Sequence, residues 1–383
     1  MRLHLVGLPH TETTAEFCAC AYTSKIVKGA KMFMDAGHEV FIYGGEANDA
    51  PCTEHVCVVG RGEQGKWFGK RESHEQFPNI WDPRAEWWKT MNGRAAHEIT
   101  KRVQPRDLVL TLAGVCQQEL GTWLHPRDAE VIEWGVGYYG TFARCCAYES
   151  YSHMATLYGQ KGIEDGRPFD AVIHNFFDPS EFPLQNDGSG EYLLYVGRLV
   201  TRKGLNVCAK VSEVTGIPLV IAGQGAKKWG KGWVESDELT VRGDLEYVGA
   251  VGIEERNELM AGAMAVLVPT LYIEPFGGVA VEAQMCGTPA LASDWGAFPE
   301  TVEEEWRCRV LSDFVDAVDR APLADHEFIR ARAHALFGLE PIGERYEGWF
   351  DRIQTLWGDG WYELSGVRFS DTASTLSVVE ADV

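Results

Sequence analysis

A short apolar run, Ala265-Val266-Leu267-Val268-Pro269, is followed closely by Glu274-Pro275-Phe276-Gly277-Gly278-Val279-Ala280-Val281-Glu282, and this stretch restricts the fold more than any other. The spacing predicts a buried strand, a loop, and a short helix that starts near Gly277 and Gly278. Gly287 stands where a helix C-terminal cap belongs, and Pro289 follows it. Glycines at a helix start leave backbone N–H groups uncovered, and the helix dipole adds positive potential there. Such an end suits a phosphate or an electron-rich oxygen. Glu282 lies more than a turn into the helix, and helical side chains lean toward the N-terminus, so its carboxylate can point back at the same ligand. Glu274 sits in the loop before the helix. Carboxylates are poor partners for phosphate but good acceptors for sugar hydroxyls. A phosphate-friendly helix end between two carboxylates points to a nucleotide sugar; the alternative is a surface loop with two solvated glutamates.

The first half of the chain alternates strands and helices. A strand at 3–7, a helix at 15–36 ended by Gly37, and a strand at 39–43 form a β-α-β unit, which predicts a parallel sheet. The loop Pro9-His10-Thr11-Glu12-Thr13-Thr14 falls at the carboxyl edge, where such sheets bind ligands. His10 and Thr11 are therefore candidate substrate contacts; the alternative is that Thr13 or Thr14 simply caps the helix. Residues 60–94 read as irregular and aromatic, with Trp67, Trp81, Trp87 and Trp88 mainly packing, or else offering rings to an acceptor sugar. A strand at 107–112, a helix at 117–124 and a strand at 129–133 follow. Trp134-Gly135-Val136-Gly137-Tyr138-Tyr139-Gly140 is then either a tight turn or an acceptor-site wall, with Tyr138 as a candidate contact. Residues 141–158 read as helical, 170–174 as a strand, and 183–190 as a linker.

At 383 residues the chain is long enough for two domains. Its net charge of −21 argues against broad binding to nucleic acid or anionic membranes, with a local basic patch at Lys227, Lys228 and Lys231 as an exception. No apolar run approaches the roughly 20 residues that a membrane helix needs. The opening Met1-Arg2-Leu3-His4-Leu5-Val6 is too short for a signal peptide. Ten cysteines without a Cys-x-x-Cys pair read as reduced thiols, and the expected location is the cytoplasm.

The second half repeats the strand–turn–helix pattern. A strand at 192–196 opens into Gly197-Arg198-Leu199-Val200-Thr201-Arg202-Lys203-Gly204. A helix at 205–215 and a strand at 219–222 lead to Gly223-Gln224-Gly225. A basic, loop-rich piece runs to a strand at 245–249, a helix at 254–262, and the strand and helix described first. Gly223-Gln224-Gly225-Ala226-Lys227-Lys228 lacks the third glycine of a nicotinamide-binding turn, which disfavours a dehydrogenase.

Three motifs in order carry a family resemblance: Gly197-Arg198-Leu199 with Lys203-Gly204, then Gly223-Gln224-Gly225, then Glu274 separated by seven residues from Glu282. Over these residues the second half resembles the donor domain of retaining GT-B glycosyltransferases, the family 4-like enzymes of glycosyl transferases group 1. Asn175-Phe176-Phe177-Asp178 is similar to the turn that commonly closes the first domain of that class, and the first half resembles it in element order. The resemblance implies an α/β fold of two facing Rossmann-like domains with parallel sheets and a C-terminal crossover helix. An acceptor-side domain at 1–183, completed by 341–383, would face a nucleotide-sugar domain at 190–340. The amphipathic stretch at 346–356, with Trp349, Phe350 and Ile353 on one stripe, suits the crossover, and 365–383 reads as a loose tail.

It also implies a hexosyl transfer from a nucleotide-diphosphate sugar to an acceptor hydroxyl, with retention and with no metal or other cofactor. The chain has no Asp-x-Asp pair. Arg198 and Lys203 would bind the diphosphate, helped by the turn at Gly223 and Gly225. Glu282 would accept from ribose, Glu274 would lie by the reacting sugar carbon, and the amides of Gly277, Gly278 and Val279 would hold donor oxygens. The acceptor would be a glycan, a lipid-linked glycan or a protein, with nucleic acid less favoured. Two departures stand out. The glycine pair usual after the first strand is replaced by Thr11-Glu12-Thr13-Thr14, and the histidine usual at the end of the 129–133 strand is absent. Glu133, His10 or the donor phosphate itself would then receive the acceptor proton. A nucleotide-sugar epimerase or hydrolase on the same fold, and a non-catalytic nucleotide-sugar-binding protein, are the alternative readings.

Overall fold

The computed structural model describes residues 1–17, 20–69, 80–124, 129–135, 140–164 and 167–355. Its contacts form two compact units, one of Met1–Tyr148, Gln160–Ile173 and the chain from Gly343, the other of Glu149–Gly159 and His174–Ile342.

The first unit holds β1 (Arg2–Val6), α1 (Ala21–Asp35), β2 (Glu39–Gly44), β3 (Glu54–Cys57), α2 (Arg61–Phe68), α3 (Glu86–Thr100), β4 (Asp107–Thr111), α4 (Gln118–Trp123) and β5 (Ala129–Glu133). The strands form one parallel sheet in the order β3-β2-β1-β4-β5. A small parallel pair, β6 (Ala147–Tyr148) and β7 (Ala171–Val172), adjoins the end of β5 through a bridge between Glu133 and Cys146. The central strands are near-continuous apolar runs because both faces are covered, as in other parallel sheets.

The second unit holds α5 (Tyr151–Lys161, whose last two residues fall in the first unit), β8 (Leu193–Val196), α6 (Leu205–Thr215), β9 (Leu219–Ala222), β10 (Ala226–Gly230), β11 (Trp233–Ser236), β12 (Thr240–Arg242) and β13 (Leu245–Gly249). It continues with α7 (Ile253–Ala261), β14 (Ala265–Val268), α8 (Gly278–Met285), β15 (Ala290–Ser293), α9 (Phe298–Thr301), β16 (Arg307–Cys308), α10 (Leu311–Arg320) and α11 (His326–Phe337). Its main sheet is parallel in the order β13-β9-β8-β14-β15-β16. From β8 the chain builds outward first on one side, to β9 and β13, and then on the other, to β14 and β15. The order therefore reverses between β8 and β14, and such a reversal opens a crevice at the carboxyl ends of the strands. The last helix, α12 (Leu339–Gln354), ends within the first unit. There Tyr346, Trp349, Phe350 and Ile353 are buried, Tyr346 donates to the Trp134 carbonyl and Trp349 Nε1 donates to the Phe169 carbonyl.

Four sequence expectations are corrected. The first helix begins at Ala21 rather than Ala15, and its N-cap is Cys20, so neither Thr13 nor Thr14 caps it. The preceding loop instead pairs with residues 47–49, where Thr13 N–H donates to the Ala47 carbonyl and Ala15 N–H to the Asp49 carboxylate. The described residues at 60–69 and 80–94 are largely helical: Trp88, Met91, Asn92, Ala95, Ala96 and Ile99 are buried along α3 at helical spacing, and Trp87 and Trp88 both donate to the Ile80 carbonyl. Residues 141–150 are not helical, because buried carboxylates take their amides. Phe142 and Ala143 donate to Glu133, and Cys146 donates to Asp170. The basic piece after Gly225 is a three-stranded antiparallel sheet, β10-β11-β12, that buries Val234 and Val241.

The stretch at 183–190 lies within the second unit. Asn186 is buried there, and its side-chain amide donates to the Ala263 carbonyl and to Thr288 Oγ1. The tail at 365–383 falls outside the described residues. All described cysteines are free, and most are buried. No described helix is long and apolar enough to cross a membrane.

Candidate active site

At the reversal between β8 and β14 the carboxyl ends of both strands open into a pocket. Val196, Lys203, Val268, Thr270, Glu274, Gly277, Gly278 and Val279 line it. The pocket therefore brings together five of the residues singled out in the sequence. Gly277 caps the N-terminus of α8 in the left-handed region, at φ +80°. A Cβ at that position would overlap the Phe298 ring, so the turn that presents the α8 amides requires glycine.

Lys203 and Glu274 are paired. Lys203 Nζ donates to Glu274 Oε2 at 2.7 Å, and the Tyr272 hydroxyl donates to the same oxygen at 2.7 Å. The Lys203 ammonium also lies 5.1 Å from the centre of the Tyr272 ring, and the Arg202 guanidinium lies 4.7 Å from it. The Glu274 main chain is fixed separately, since Ala297 N–H donates to its carbonyl at 3.0 Å. Glu274 is 9% exposed. The result is a cation and a carboxylate at one helix N-terminus, positioned by loops from two strands.

The other donor-side candidates do not line the pocket. Arg198 is exposed and has no ion-pair partner among the described residues, and its carbonyl accepts from the Tyr195 hydroxyl. Gly223 lies so close to the Gly197 loop that a Cβ would overlap the Gly197 carbonyl oxygen. Leu199 N–H donates to the Gln224 carbonyl, and Gly225 packs near Leu199, so the Gly223-Gln224-Gly225 turn braces the loop that carries Arg198 and Lys203. Glu282 forms an ion pair with Arg256 of α7 at 3.1 Å.

In the first unit the candidates are mostly turned inward. The His10 ring packs edge-on against Phe68, and the Thr11 hydroxyl pairs with that of Thr23 at 2.8 Å. Glu12, in the same loop, is held by two bonds from Arg61. Glu133 is fully buried. Its Oε2 accepts from the amides of Phe142 and Ala143 and from Cys146 Sγ, while Oε1 has no hydrogen-bond partner. Burial raises its pKa to about 7, against the lowering effect of those bonds and of the Lys161 charge. Tyr138 lies outside the described residues.

Tyr272 and Arg256 were not singled out in the sequence. Tyr272 had a legible signal, an aromatic two residues before the loop carboxylate; Arg256 had none, because only the packing of α7 and α8 brings it to Glu282. Among the described residues no group of three or more His, Cys, Asp or Glu could hold a metal ion.

Residues 177–319 match the family model described as glycosyl transferases group 1. An uncharacterized glycosyltransferase of Methanocaldococcus jannaschii, MJ1607, is 34% identical over 156 residues, which take in 35% of this chain and 38% of that protein. The glycogen synthase of Mycobacterium tuberculosis is 34% identical over 142 residues, 34% of this chain and 33% of that one. The matches thus span well under half the length of these relatives. Among solved structures, a sucrose-phosphate synthase of Thermosynechococcus elongatus matches with a TM-score of 0.63 at 17% identity, over 93% of this chain and 99% of its own. AviGT4, a glycosyltransferase involved in avilamycin A biosynthesis, matches with a TM-score of 0.59 at 20% identity, over 92% and 98%. HepE of Anabaena, in complex with UDP and glucose, matches with a TM-score of 0.58 at 14% identity, over 91% and 98%. Over residues 177–319 the chain is thus similar to the glycosyl transferases group 1, and its two parallel α/β units have the GT-B fold.

Proposed function

We propose that the protein is a glycosyltransferase that moves a hexosyl group from a nucleotide-diphosphate sugar to an acceptor hydroxyl, with retention of anomeric configuration. The observation that carries this reading is the pairing of Lys203 with Glu274 at the N-terminus of α8, in the crevice where the sheet order reverses. The leaving nucleotide gains negative charge as the glycosidic bond breaks. Lys203, Arg198 and the amides of Gly277, Gly278 and Val279 would stabilise it with no metal in the mechanism. Glu282 would accept from the ribose hydroxyls. Glu274 would face the sugar carbon, where positive charge develops.

Support for a nucleotide donor comes from this donor set and from the likeness to HepE, which has been captured with UDP-glucose. Support for retention comes from Arg198, Lys203, Glu274 and Glu282 together, a set that resembles that of retaining enzymes of this class. The acceptor side is assigned to residues 1–183, completed by 341–383, and the donor side to 190–340. On the acceptor side the candidates to receive the acceptor proton are His10, Glu133 and the donor phosphate.

The test is a thermal-shift screen against nucleoside diphosphates. A ligand at 100 times its dissociation constant adds about 2.7 kcal/mol of stability. Lys203→Ala and Arg198→Ala should each weaken the shift by removing a charge-assisted phosphate contact. Unchanged affinity in both variants would remove the donor assignment. A product anomer inverted relative to the donor, read by NMR, would remove retention.

A further inference from the structure

The second carboxylate of the motif is not free in the structure. Glu282 Oε1 lies 3.1 Å from Arg256 Nη1, across the packing of α7 on α8. The side chains are 23% exposed for Arg256 and 12% for Glu282, so this is not a solvated surface pair of negligible worth. Arg256 Nε is buried and has no hydrogen-bond partner, and the ion pair with Glu282 is the one that Arg256 makes among the described residues. No other ion pair to Glu282 occurs among the described residues. Resting on the donor reading above, we propose that Arg256 is a positioning residue for ribose recognition: it fixes the Glu282 carboxylate and leaves it capacity to accept from the nucleotide's sugar hydroxyls.

Two effects of opposite sign decide what Arg256 does. It occupies part of the carboxylate's accepting capacity, which would weaken a hydroxyl contact. A carboxylate offers about four lone-pair sites, however, and the approach of Arg256 is to Oε1, so the carboxylate keeps capacity for hydroxyl donors. Against that small loss stands a larger gain. An unrestrained glutamate gives up rotamer freedom of up to about 1.5–2 kcal/mol when a ligand orders it. Arg256 imposes that order before the ligand arrives. Orientation therefore wins, and loss of Arg256 should weaken ribose binding.

The experiment compares two probes by calorimetry at 0.15 M salt: inorganic pyrophosphate, and whichever of UDP, GDP and ADP binds the wild type most tightly. At that ionic strength the screening length is about 8 Å, which limits the long-range effect of Arg256 on the phosphates. Arg256→Gln should weaken the nucleoside diphosphate by about tenfold or more, the range for a hydrogen bond to a charged group, and should leave pyrophosphate within about twofold. Arg256→Lys, which keeps the charge, should recover part of the loss. The double variant Arg256→Gln with Glu282→Gln should bind no worse than Glu282→Gln alone, because the arginine acts only through the glutamate. A merely structural arginine would lower the melting temperature and both affinities together, and that result overturns the proposal, as does additivity in the double variant. Selective loss in Glu282→Gln without selective loss in Arg256→Gln removes the arginine's role and leaves the donor reading in place. No selective loss in Glu282→Gln removes the ribose role and this inference with it.

Discussion

Glu274→Ala should separate nucleotide binding from turnover, in a direction set by the geometry. Glu274 Oε2 takes two short hydrogen bonds at 2.7 Å, one from the Lys203 ammonium and one from the Tyr272 hydroxyl. The charged bond is worth about 1.5–3 kcal/mol net. A diphosphate that recruits Lys203 must draw it from Glu274 or share its three N–H donors between the two. Removing the carboxylate lifts that competition, so the affinity for a nucleoside diphosphate should stay level or rise by up to about tenfold, which corresponds to about 1.4 kcal/mol. Turnover should fall by about 10²–10³, the usual cost of losing one preorganised group that stabilises developing charge. The local fold should survive, because the bond that ties this loop to Ala297 comes from the main-chain carbonyl of Glu274. Glu274→Gln is the control for shape, since it keeps an acceptor for Tyr272 but not the charge. Calorimetry gives the affinity, and mass spectrometry of product gives kcat and KM. A tenfold loss of affinity with turnover retained would refute the reasoning, since it would make Glu274 a nucleotide ligand and not a group acting on the sugar.

Two further outcomes follow from buried groups. Glu133 has its pKa raised from the ordinary 4.5 to about 7, so the folded chain holds a proton that the unfolded chain releases. Its contribution is fully present below about pH 4.5 and is lost as pH rises through about 7, to a total of about 3 kcal/mol. Glu133→Gln should therefore gain on the wild type in denaturant melts between pH 5 and pH 8, and a difference that stays flat with pH would show that the carboxyl is ionised in the folded protein. Gly277→Ala should lower stability by about 2–4 kcal/mol, from the left-handed φ and the overlap with Phe298, whereas Gly278→Ala should be near neutral because its nearest neighbour would be the Phe177 ring at 3.7 Å. Equal melting behaviour of the two variants would refute the backbone argument.

Where turn chemistry brackets an apolar run, the sequence is readable to the residue. The strand at 129–133, the helix at 205–215 and the strand at 219–222 end where they were expected, the helix being closed by Gly216 in the left-handed region. Three stretches were not readable, each for a different reason. In α3 the aromatic residues obscured a helical period that Met91, Ala95 and Ile99 complete. At 141–150 local composition favoured a helix, but the amides there go to Glu133 and Asp170, carboxylates supplied from distant positions in the chain. In β10 to β12 short strands with exposed lysines resemble a loop, and only the buried Val234 and Val241 show that they pack. Asn186 stands in a polar stretch with the composition of a linker, yet its amide bonds to Ala263 and Thr288 make it a staple.

The candidate site was legible as a set of residues and illegible as a set of pairs. Spacing places Glu274 before the helix and Glu282 within it, and both add negative charge beside a phosphate site on a chain of net charge −21. The structure gives each carboxylate a cation from another element: Lys203 from the loop after β8 meets Glu274, and Arg256 from α7 meets Glu282. The Lys203–Glu274 pair lies at the N-terminus of α8, whose dipole adds positive potential. Hydroxyl acceptors can then sit beside a diphosphate site without repelling the ligand. Because Glu274 is matched to Lys203 inside the pocket, Lys203→Ala should cost more than the lysine's own phosphate contact, by leaving that glutamate uncompensated where the phosphates arrive.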